Sequence, residues 1–187
     1  MKTKDHSERT GCTVTTIGHS TRTLETFIHL LQTYDVEQVV DVRTVPRSRH
    51  HPQFNRETLP DDLKAIGIGY LHMPGLGGLR RPRPDSANMG WRNASFRGFA
   101  DYVETAEFEN HLSKLIKLAQ RKRIALMCAE ALPWRCHRSL IADALEVRGI
   151  RVAHILGSTH LQSHRVTPFA HVDGTSLVYP SEKNSTQ

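Results

Sequence analysis

Long apolar runs are missing from this sequence of 187 residues. None approaches the roughly 20 residues that a membrane-spanning helix needs, and the first residues are polar, without the apolar segment of a signal peptide. A cytoplasmic protein with no membrane partner is therefore expected. Aromatic residues are scarce, at 6% of the chain, and 38% of residues are hydrophobic. A chain of this length is nevertheless expected to form one domain with its own core.

Cysteine is scarce as well. The chain has three cysteines, Cys12, Cys128 and Cys136. An odd count without an export signal argues against the disulfide framework of a small secreted domain. Cys12 lies in residues 1–12, which we predict to be a disordered leader. Cys128 and Cys136 therefore remain as the cysteines with a candidate chemical role.

The formal net charge is +6, and the excess lies in one segment. Residues 42–100 contain ten Lys or Arg and four Asp or Glu, whereas the rest of the chain is balanced. A basic, loop-rich segment favours an anionic partner, either nucleic acid or a phosphorylated small molecule. Its aromatic residues Phe54, Trp91 and Phe96 can stack on bases. A solvated basic surface explains the charge equally well, because no standard nucleic-acid-binding motif is present.

The apolar pattern predicts alternating strands and helices. Short apolar runs predict strands near Thr13, Gln38, Ile68, Ile124 and Val152. Helices are expected at residues 23–34, 59–66, 96–104 and 105–120. Gly67 is expected to end the second helix, and a last helix is expected to end at Gly149. This alternation predicts an α/β fold, a single-domain three-layer sandwich with a mostly parallel, Rossmann-like sheet of about five strands. The domain is expected over residues 13–157, and residues 158–187 are expected to form a polar tail with the surface residues His160, His164 and His171.

The densest group of reactive side chains lies between the fourth strand and the last helix. Eleven residues contain two thiols, a carboxylate, an imidazole and two guanidinium groups, which belong to Cys128, Glu130, Arg135, Cys136, His137 and Arg138. In an open parallel sheet, ligands bind at the carboxyl ends of the strands. We therefore expect these side chains to form part of an active site.

Two further polar groups follow predicted strands. His19 and Ser20 follow the first strand, and Asp41 and Arg43 lie at the end of the second. Because parallel strands end at the same edge of a sheet, both groups are expected beside the cysteines. The long irregular segment 74–97 is predicted to cover the substrate. Its candidate substrate-binding residues are Gly77, Gly78 and Trp91.

Four segments of the sequence resemble one protein family. They are TIGHS at residues 16–20, VVDVRTVPRS at 39–48, GLGG at 75–78 and LMCAEALPWRCHR at 126–138. In this order, they resemble the bacterial domain-of-unknown-function family numbered 488 over residues 13–157. The resemblance implies a compact α/β domain in which these motifs are grouped. It implies no particular reaction.

The residues themselves allow several kinds of chemistry. Arg43, Arg135 or Arg138 can clamp an anion at the start of the last helix. Alternatively, these arginines hold carboxylates in structural ion pairs. Cys136, beside His137 and Arg138, can act as a nucleophile. Two buried, inert thiols are the plainer explanation for the cysteines.

Metal binding and acid–base catalysis are the other possibilities. The two cysteines, with His137 and His19, can supply a zinc or iron site, although their spacing matches no standard motif. Glu130 and Asp41 can act as an acid/base pair in the cleavage of a glycosidic bond. An ion-pair network that includes both carboxylates explains them equally well.

The leading hypothesis is an enzyme that acts on nucleic acid or nucleotides, hydrolytic at a base or its glycosidic bond. Glu130 and Asp41 would be the acid/base pair, and no cofactor or metal would be required. The remaining residues would orient the substrate (His19, His137), bind phosphate (Arg43, Arg135, Arg138), contact the rest of the substrate (Ser20, Gly77, Gly78, Trp91) and shape the pocket (Cys128, Cys136). The alternatives are a non-catalytic nucleic-acid-binding module and a metal or redox protein that uses the Cys-Cys-His cluster.

Overall fold

The structure is a computed structural model that describes residues 13–181, so the predicted leader at residues 1–12 lies outside the described residues. Six strands form the central sheet: β1 (Thr13–Gly18), β2 (Gln38–Asp41), β3 (Gly69–His72), β4 (Ile124–Cys128), β5 (Arg151–Gly157) and β6 (His160–Ser163). Their order in the sheet is β3-β2-β4-β1-β5-β6. The first five are parallel and β6 is antiparallel to β5. The predicted α/β fold with a mostly parallel sheet is confirmed.

Five helices cover the two faces of the sheet: α1 (Leu24–Thr33), α2 (Leu59–Ala65), α3 (Ala94–Val103), α4 (Ala106–Ala119) and α5 (Arg138–Glu146). Helices α1 and α2 share a buried cluster with Met127, whereas α3, α4 and α5 share a second cluster with Leu126. These two neighbours face opposite sides because side chains alternate along a strand. The result is the predicted three-layer sandwich. None of the helices in the described part of the chain is long and apolar enough to cross a membrane.

Helix ends follow signals that are visible in the sequence. The Thr23 hydroxyl caps α1 by accepting a hydrogen bond from the Thr26 N–H at 3.1 Å. Gly67 and Gly149 follow α2 and α5 with φ angles of 79° and 75°. Glycine adopts this left-handed conformation at the least steric cost. The prediction that these two glycines end their helices is confirmed.

The chain after Gly157 packs against the domain, which its polar composition does not predict. It supplies β6 and then a two-stranded hairpin of β7 (His171–Asp173) and β8 (Ser176–Val178). Leu177 and Tyr179 are 1% and 0% exposed and belong to the core on the α5 side of the sheet. The signal is weak in the sequence because the apolar run at residues 177–179 is only three residues long.

The irregular segment 74–97 is tied to α3 and is not a free flap. The Asp101 carboxylate accepts hydrogen bonds from the Arg83 N–H at 2.7 Å, the Ser86 hydroxyl at 2.5 Å and the Asn88 side-chain amide at 2.9 Å. The Asn88 side-chain oxygen in turn accepts a hydrogen bond from the Tyr179 N–H at 2.8 Å. A loop whose buried polar groups are hydrogen-bonded in this way is held in one conformation. The segment is therefore fixed beside the sheet edge described next.

Candidate active site

The carboxyl ends of β1, β2 and β4 lie side by side, because β4 is paired with the other two strands. Gly18 is in register with Cys128, and Asp41 with Met127. The ladder continues past β1, where the His19 N–H donates to the Cys128 carbonyl at 2.9 Å. A cavity of about 560 Å³ opens at this edge and is lined by Ser20, Arg43, Thr44, Val45, Gly78, Leu79, Ser95, Phe96, Cys128, Ala129, Glu130, Arg135, Cys136 and His137.

Asp41 lies beneath this cavity in a closed hydrogen-bond network. Its side chain is fully buried. One carboxylate oxygen accepts from the Arg43 Nε–H at 2.9 Å, and the other accepts from Arg43 Nη2 and from the Tyr70 hydroxyl, each at 2.6 Å. Burial and the bond to Asp41 raise the pKa of Tyr70, so the hydroxyl stays a donor. The arrangement is that of a structural ion pair, with no access for a substrate.

His19 is held by the same network. Arg43 donates from Nη1 to His19 Nε2 at 3.1 Å, and His19 Nδ1–H donates to the Ser20 carbonyl at 3.1 Å. This direction requires a neutral ring protonated on Nδ1. Burial, and then the charge of Arg43, lower the pKa of His19 to about 4. The ring also stacks on the buried Phe54 at 4.4 Å between centroids, so neither ring is free to contact a base.

Arg43 contributes little free donor capacity. Besides its bonds to Asp41 and His19, its Nη2 donates to the Phe54 carbonyl at 2.7 Å, and the residue is 6% exposed. Its guanidinium lies at the cavity wall with its donors directed into the protein. The geometry therefore favours a role in positioning the strand ends over the predicted role as a phosphate clamp.

Arg138 is also buried, at 1% exposure. Its Nε donates to the Cys136 sulfur at 3.3 Å, and its Nη2 donates to the Glu130 carbonyl. No carboxylate forms an ion pair with it within residues 13–181. Because a buried cation needs a compensating group, the sulfur of Cys136 is its natural anionic partner. Arg138 is thus inaccessible to a phosphate, contrary to the predicted contact.

The two cysteine sulfurs lie close to each other at the floor of the cavity. Both residues are buried free thiols. A hydrogen bond from Cys128, together with the charge of Arg138, holds the pKa of Cys136 well below its ordinary value. The same hydrogen bond and burial raise the pKa of Cys128. The pair is thus polarised into a donor thiol and an acceptor sulfur.

His137 reaches the cysteines from the start of α5. Its Nε2–H donates to the Val42 carbonyl at 3.1 Å, and its Nδ1 lies 3.7 Å from the Cys136 sulfur. Gly78 makes room for the ring, because a Cβ at that position would overlap the imidazole. Gly77 similarly allows the backbone to approach Thr44. Both glycines that were predicted to bind substrate therefore shape the site by permitting close approach.

Glu130 and Arg135 are the charged groups that remain open. Glu130 is half-buried, lines the cavity, and accepts one long hydrogen bond from the Leu132 N–H at 3.4 Å. Arg135 is exposed at the rim. Neither side chain forms an ion pair with another residue of the described range 13–181. These two side chains are thus available to a ligand.

At the predicted anion site, the start of the last helix, some of the backbone N–H donors already form hydrogen bonds within the protein. Helix α5 begins at Arg138, so Cys136 and His137 precede it. The Ser139 and Leu140 N–H groups donate to the Cys136 and His137 carbonyls at 3.0 and 3.1 Å. Two of the donors that a helix N-terminus offers to an anion are therefore already used.

Trp91 lies away from this cavity. It packs against Phe96, Phe169 and Tyr179 and lines a second cavity of about 470 Å³. Phe96 lies between the two cavities, because it contacts Trp91 and lines the first one. The predicted contact of Trp91 with a substrate at the cysteine cluster does not match this position.

Several arginines of the basic segment are engaged within the protein. Arg47 pairs with Glu57 and Arg83 with Glu104, at 3.0 and 2.9 Å. The Arg80 guanidinium lies 3.6 Å above the centre of the Tyr102 ring. These contacts are typical of a structural role and reduce the free charge available to a nucleic acid.

Some structural features of the site carry no signal that sequence reasoning uses. Ser20 has a φ angle of 45°, a strained conformation for a residue with a Cβ. Gly18 is required at the end of β1 because a Cβ there would overlap the Glu130 carbonyl. Tyr70 is an ordinary strand residue by sequence and becomes important only because β3 neighbours β2. Tertiary packing alone reveals these three roles.

Comparison with known sequences now places the chain in a family. A family described as "Domain of unknown function DUF488" matches residues 23–145. The chain belongs to the DUF488 family. The matched range contains Asp41, Arg43 and the whole cysteine loop but leaves out His19 and the C-terminal strands. No curated protein and no solved structure matches this DUF488 member.

Proposed function

We propose that this DUF488 protein is a hydrolase that acts on a nucleotide, free or within a nucleic acid, at the base or its glycosidic bond. Glu130 is the residue that moves the proton. The observation that carries the proposal is the position of its carboxylate, which lines the cavity and forms no ion pair within residues 13–181. An unpaired, half-buried carboxylate in a cleft is the usual setting of an acid or base.

Asp41 and His19 act as positioning groups in this proposal. Their polar atoms are all used by Arg43, Tyr70 and the Ser20 carbonyl. A general acid or base must reach the proton that it transfers. We therefore assign proton transfer to Glu130 alone, and we assign to Asp41 and His19 the task of holding the strand ends.

The character of the cavity supports a nucleotide-sized ligand. Its volume of about 560 Å³ falls within the range of small-molecule sites. The Phe96 ring can stack on a base, and Arg135 at the rim can bind a phosphate. The net charge of +6 favours an anionic substrate.

The reaction proposed is a hydrolysis with a single water molecule. The Glu130 carboxylate accepts a proton from the water as its oxygen bonds to the substrate carbon. The same proton then passes to the departing nitrogen as the carbon–nitrogen bond breaks. The carboxylate is regenerated, and no oxidant or reductant is consumed.

The proposed location is the cytoplasm. Cys128 and Cys136 are close, free thiols at the floor of the cavity. A reducing compartment keeps such a pair reduced. The proposed partner is the nucleotide or nucleic-acid substrate itself.

The test is a screen of modified nucleosides, nucleotides and damaged oligonucleotides, with mass spectrometry of the products. Once a substrate is found, Glu130→Gln should lower kcat by at least about a hundredfold while substrate binding is retained. Glu25→Gln is the matched control, because Glu25 is an exposed carboxylate on α1. Turnover by Glu130→Gln at the wild-type rate would exclude the proposed role. Binding without any altered product would favour the non-catalytic alternative.

A further inference from the structure

The cysteine cluster brings three metal-binding side chains together in space, although their spacing in the sequence matches no standard motif. The two sulfurs of Cys128 and Cys136 and a ring nitrogen of His137 all lie within 4.8 Å of one another. They come from the end of β4 and from the turn before α5, which are joined by a short loop. We propose that these three residues bind one zinc ion, with a fourth coordination position open to the cavity.

The distances agree with tetrahedral coordination. Zinc binds thiolate sulfur at about 2.3 Å and imidazole nitrogen at about 2.0–2.1 Å, which puts a sulfur and a nitrogen about 3.5–3.6 Å apart on a tetrahedron. The Cys136 sulfur and His137 Nδ1 are separated by 3.7 Å. A zinc ion therefore fits between these two atoms without movement of the backbone.

The orientation of His137 is already that of a metal ligand. Its Nε2–H donates to the Val42 carbonyl at 3.1 Å, which leaves a lone pair on Nδ1 directed toward the Cys136 sulfur. A histidine that binds a metal through one nitrogen almost always donates the other N–H to a carbonyl or carboxylate. Gly78 keeps the ring in this position because any side chain there would collide with it.

The fourth position faces the cavity because all three ligands line it. His19, which the sequence offered as a fourth ligand, uses Nε2 to accept from Arg43 and lies outside the cluster. A three-ligand site with an open position is typical of catalytic zinc, whereas structural zinc has four protein ligands. The proposed ion would thus lie beside Glu130, which lines the same cavity.

The surrounding charge favours an anion at the open position. Two thiolates neutralise the zinc dication, and the buried Arg138, 3.3 Å from the Cys136 sulfur, then adds one positive charge. A hydroxide or an anionic substrate group at the fourth position would restore neutrality. Zinc bound in this way supplies an activated water, the reactant that the proposed hydrolysis needs.

Zinc fits this donor set better than the harder divalent ions. Two thiolates and an imidazole are soft or borderline ligands, which magnesium and calcium do not favour. Iron and cobalt can occupy the same set, and cobalt reports its geometry through its visible spectrum. Cobalt is therefore a suitable probe for the ligand geometry.

The experiment measures metal directly on the full chain in a Cys12→Ser background, so that two cysteines remain. The protein is purified under reducing, anaerobic conditions, titrated with Zn²⁺, and separately loaded with Co²⁺. We expect one equivalent of zinc and the absorption of tetrahedral, thiolate-bound cobalt. Cys136→Ser and His137→Gln should each weaken zinc binding by at least about a hundredfold. His29→Gln, at an exposed position on α1, should bind zinc like the parent.

Three results would overturn the proposal. The first is less than about a tenth of an equivalent of zinc on folded protein. The second is equal zinc affinity in the parent and in both ligand variants. The third is a Cys128–Cys136 disulfide in place of metal under mild oxidation, which would identify a redox pair. Circular dichroism of each variant separates loss of a ligand from loss of the fold.

This inference does not depend on the proposed hydrolysis. Zinc stoichiometry is measured without any substrate, and Glu130→Gln should leave it unchanged because Glu130 is not a ligand. Loss of zinc binding together with Glu130-dependent turnover would refute the zinc site and leave the hydrolase standing. Zinc binding without turnover of any substrate would support the zinc site and count against the hydrolase.

Discussion

Because of His154, the free energy of unfolding of the protein is expected to fall in mildly acidic solution. His154 lies in a buried chain of hydrogen bonds. The Thr16 hydroxyl donates to His154 Nδ1 at 2.8 Å, His154 Nε2–H donates to His164 Nδ1 at 3.0 Å, and His164 Nε2–H donates to Asp143 at 2.7 Å. The direction is fixed at one end, because the Asp143 carboxylate can only accept. Every nitrogen of His154 is thus satisfied only while its ring is neutral.

The size of the effect follows from the pKa of His154. Burial, and then the neighbouring His164 and Arg138, lower this pKa from 6.5 to about 4. The unfolded chain therefore binds a proton at a higher pH than the folded protein does. Stability is unaffected above about pH 6.5, falls as the pH drops below it, and levels off below about 4. Because pH 5.0 lies about 1.5 pH units below the ordinary pKa of 6.5, the free energy of unfolding there should be about 2 kcal/mol lower than at pH 7.5.

The assay is urea denaturation at pH 7.5 and pH 5.0 for the wild type, His154→Gln and His29→Gln. Other groups also titrate in this range. The informative quantity is therefore the change in the free energy of unfolding between the two pH values, compared between the wild type and each variant. His154→Gln, whose amide does not titrate, should lose about 2 kcal/mol less than the wild type between the two conditions. His29→Gln, at an exposed position, should behave like the wild type. An equal loss in the wild type and His154→Gln would refute the reasoning.

Two further substitutions test the buried networks that surround the site. Tyr70→Phe removes the hydroxyl that donates to Asp41 at 2.6 Å, and it should lower the free energy of unfolding by about 1–2 kcal/mol. Unchanged stability would mean that Arg43 alone satisfies the carboxylate. Asn88→Ala removes the side chain that joins Asp101 to the backbone of Tyr179. It should cost about 3 kcal/mol in the same urea assay, and a loss below about 1 kcal/mol would show that the C-terminal hairpin docks without it.

The fold was predictable because its signals are local. The apolar runs that mark the strands, the hydroxyl of Thr23 and the helix-ending glycines Gly67 and Gly149 all act within a few residues. The grouping of the strand ends follows from topology, since parallel strands joined by helices end at one edge. Sequence reasoning therefore places His19, Asp41 and Cys128 at one edge of the sheet.

The division of the site into sealed and open groups was not predictable. Asp41 and Glu130 are both carboxylates at the ends of neighbouring strands, and nothing local distinguishes them. Asp41 is sealed because Tyr70, on a strand paired with β2, reaches across to it. Likewise His164 is polar and follows the last predicted strand, yet it lies 7% exposed against Asp143. Burial of this kind depends on contacts between residues that are distant in the chain.

The buried groups Asp41, Arg43 and His19 hold the ends of the strands around the cavity. Buried ion pairs stabilise a fold little, because desolvation offsets most of their attraction. Arg43 nevertheless ties three separate segments together: its own strand through Asp41, the segment after β2 through the Phe54 carbonyl, and the end of β1 through His19. An apolar side chain of the same volume would fill the space but would offer no directional bonds. Hydrogen bonds of fixed direction hold His19, and the next residue, Ser20, lies in the cavity wall with its N–H bonded to the Ala129 carbonyl at 2.9 Å. The charge pair beneath the cavity is therefore best explained as the frame of the candidate site, and the groups available to a ligand are Glu130 and Arg135.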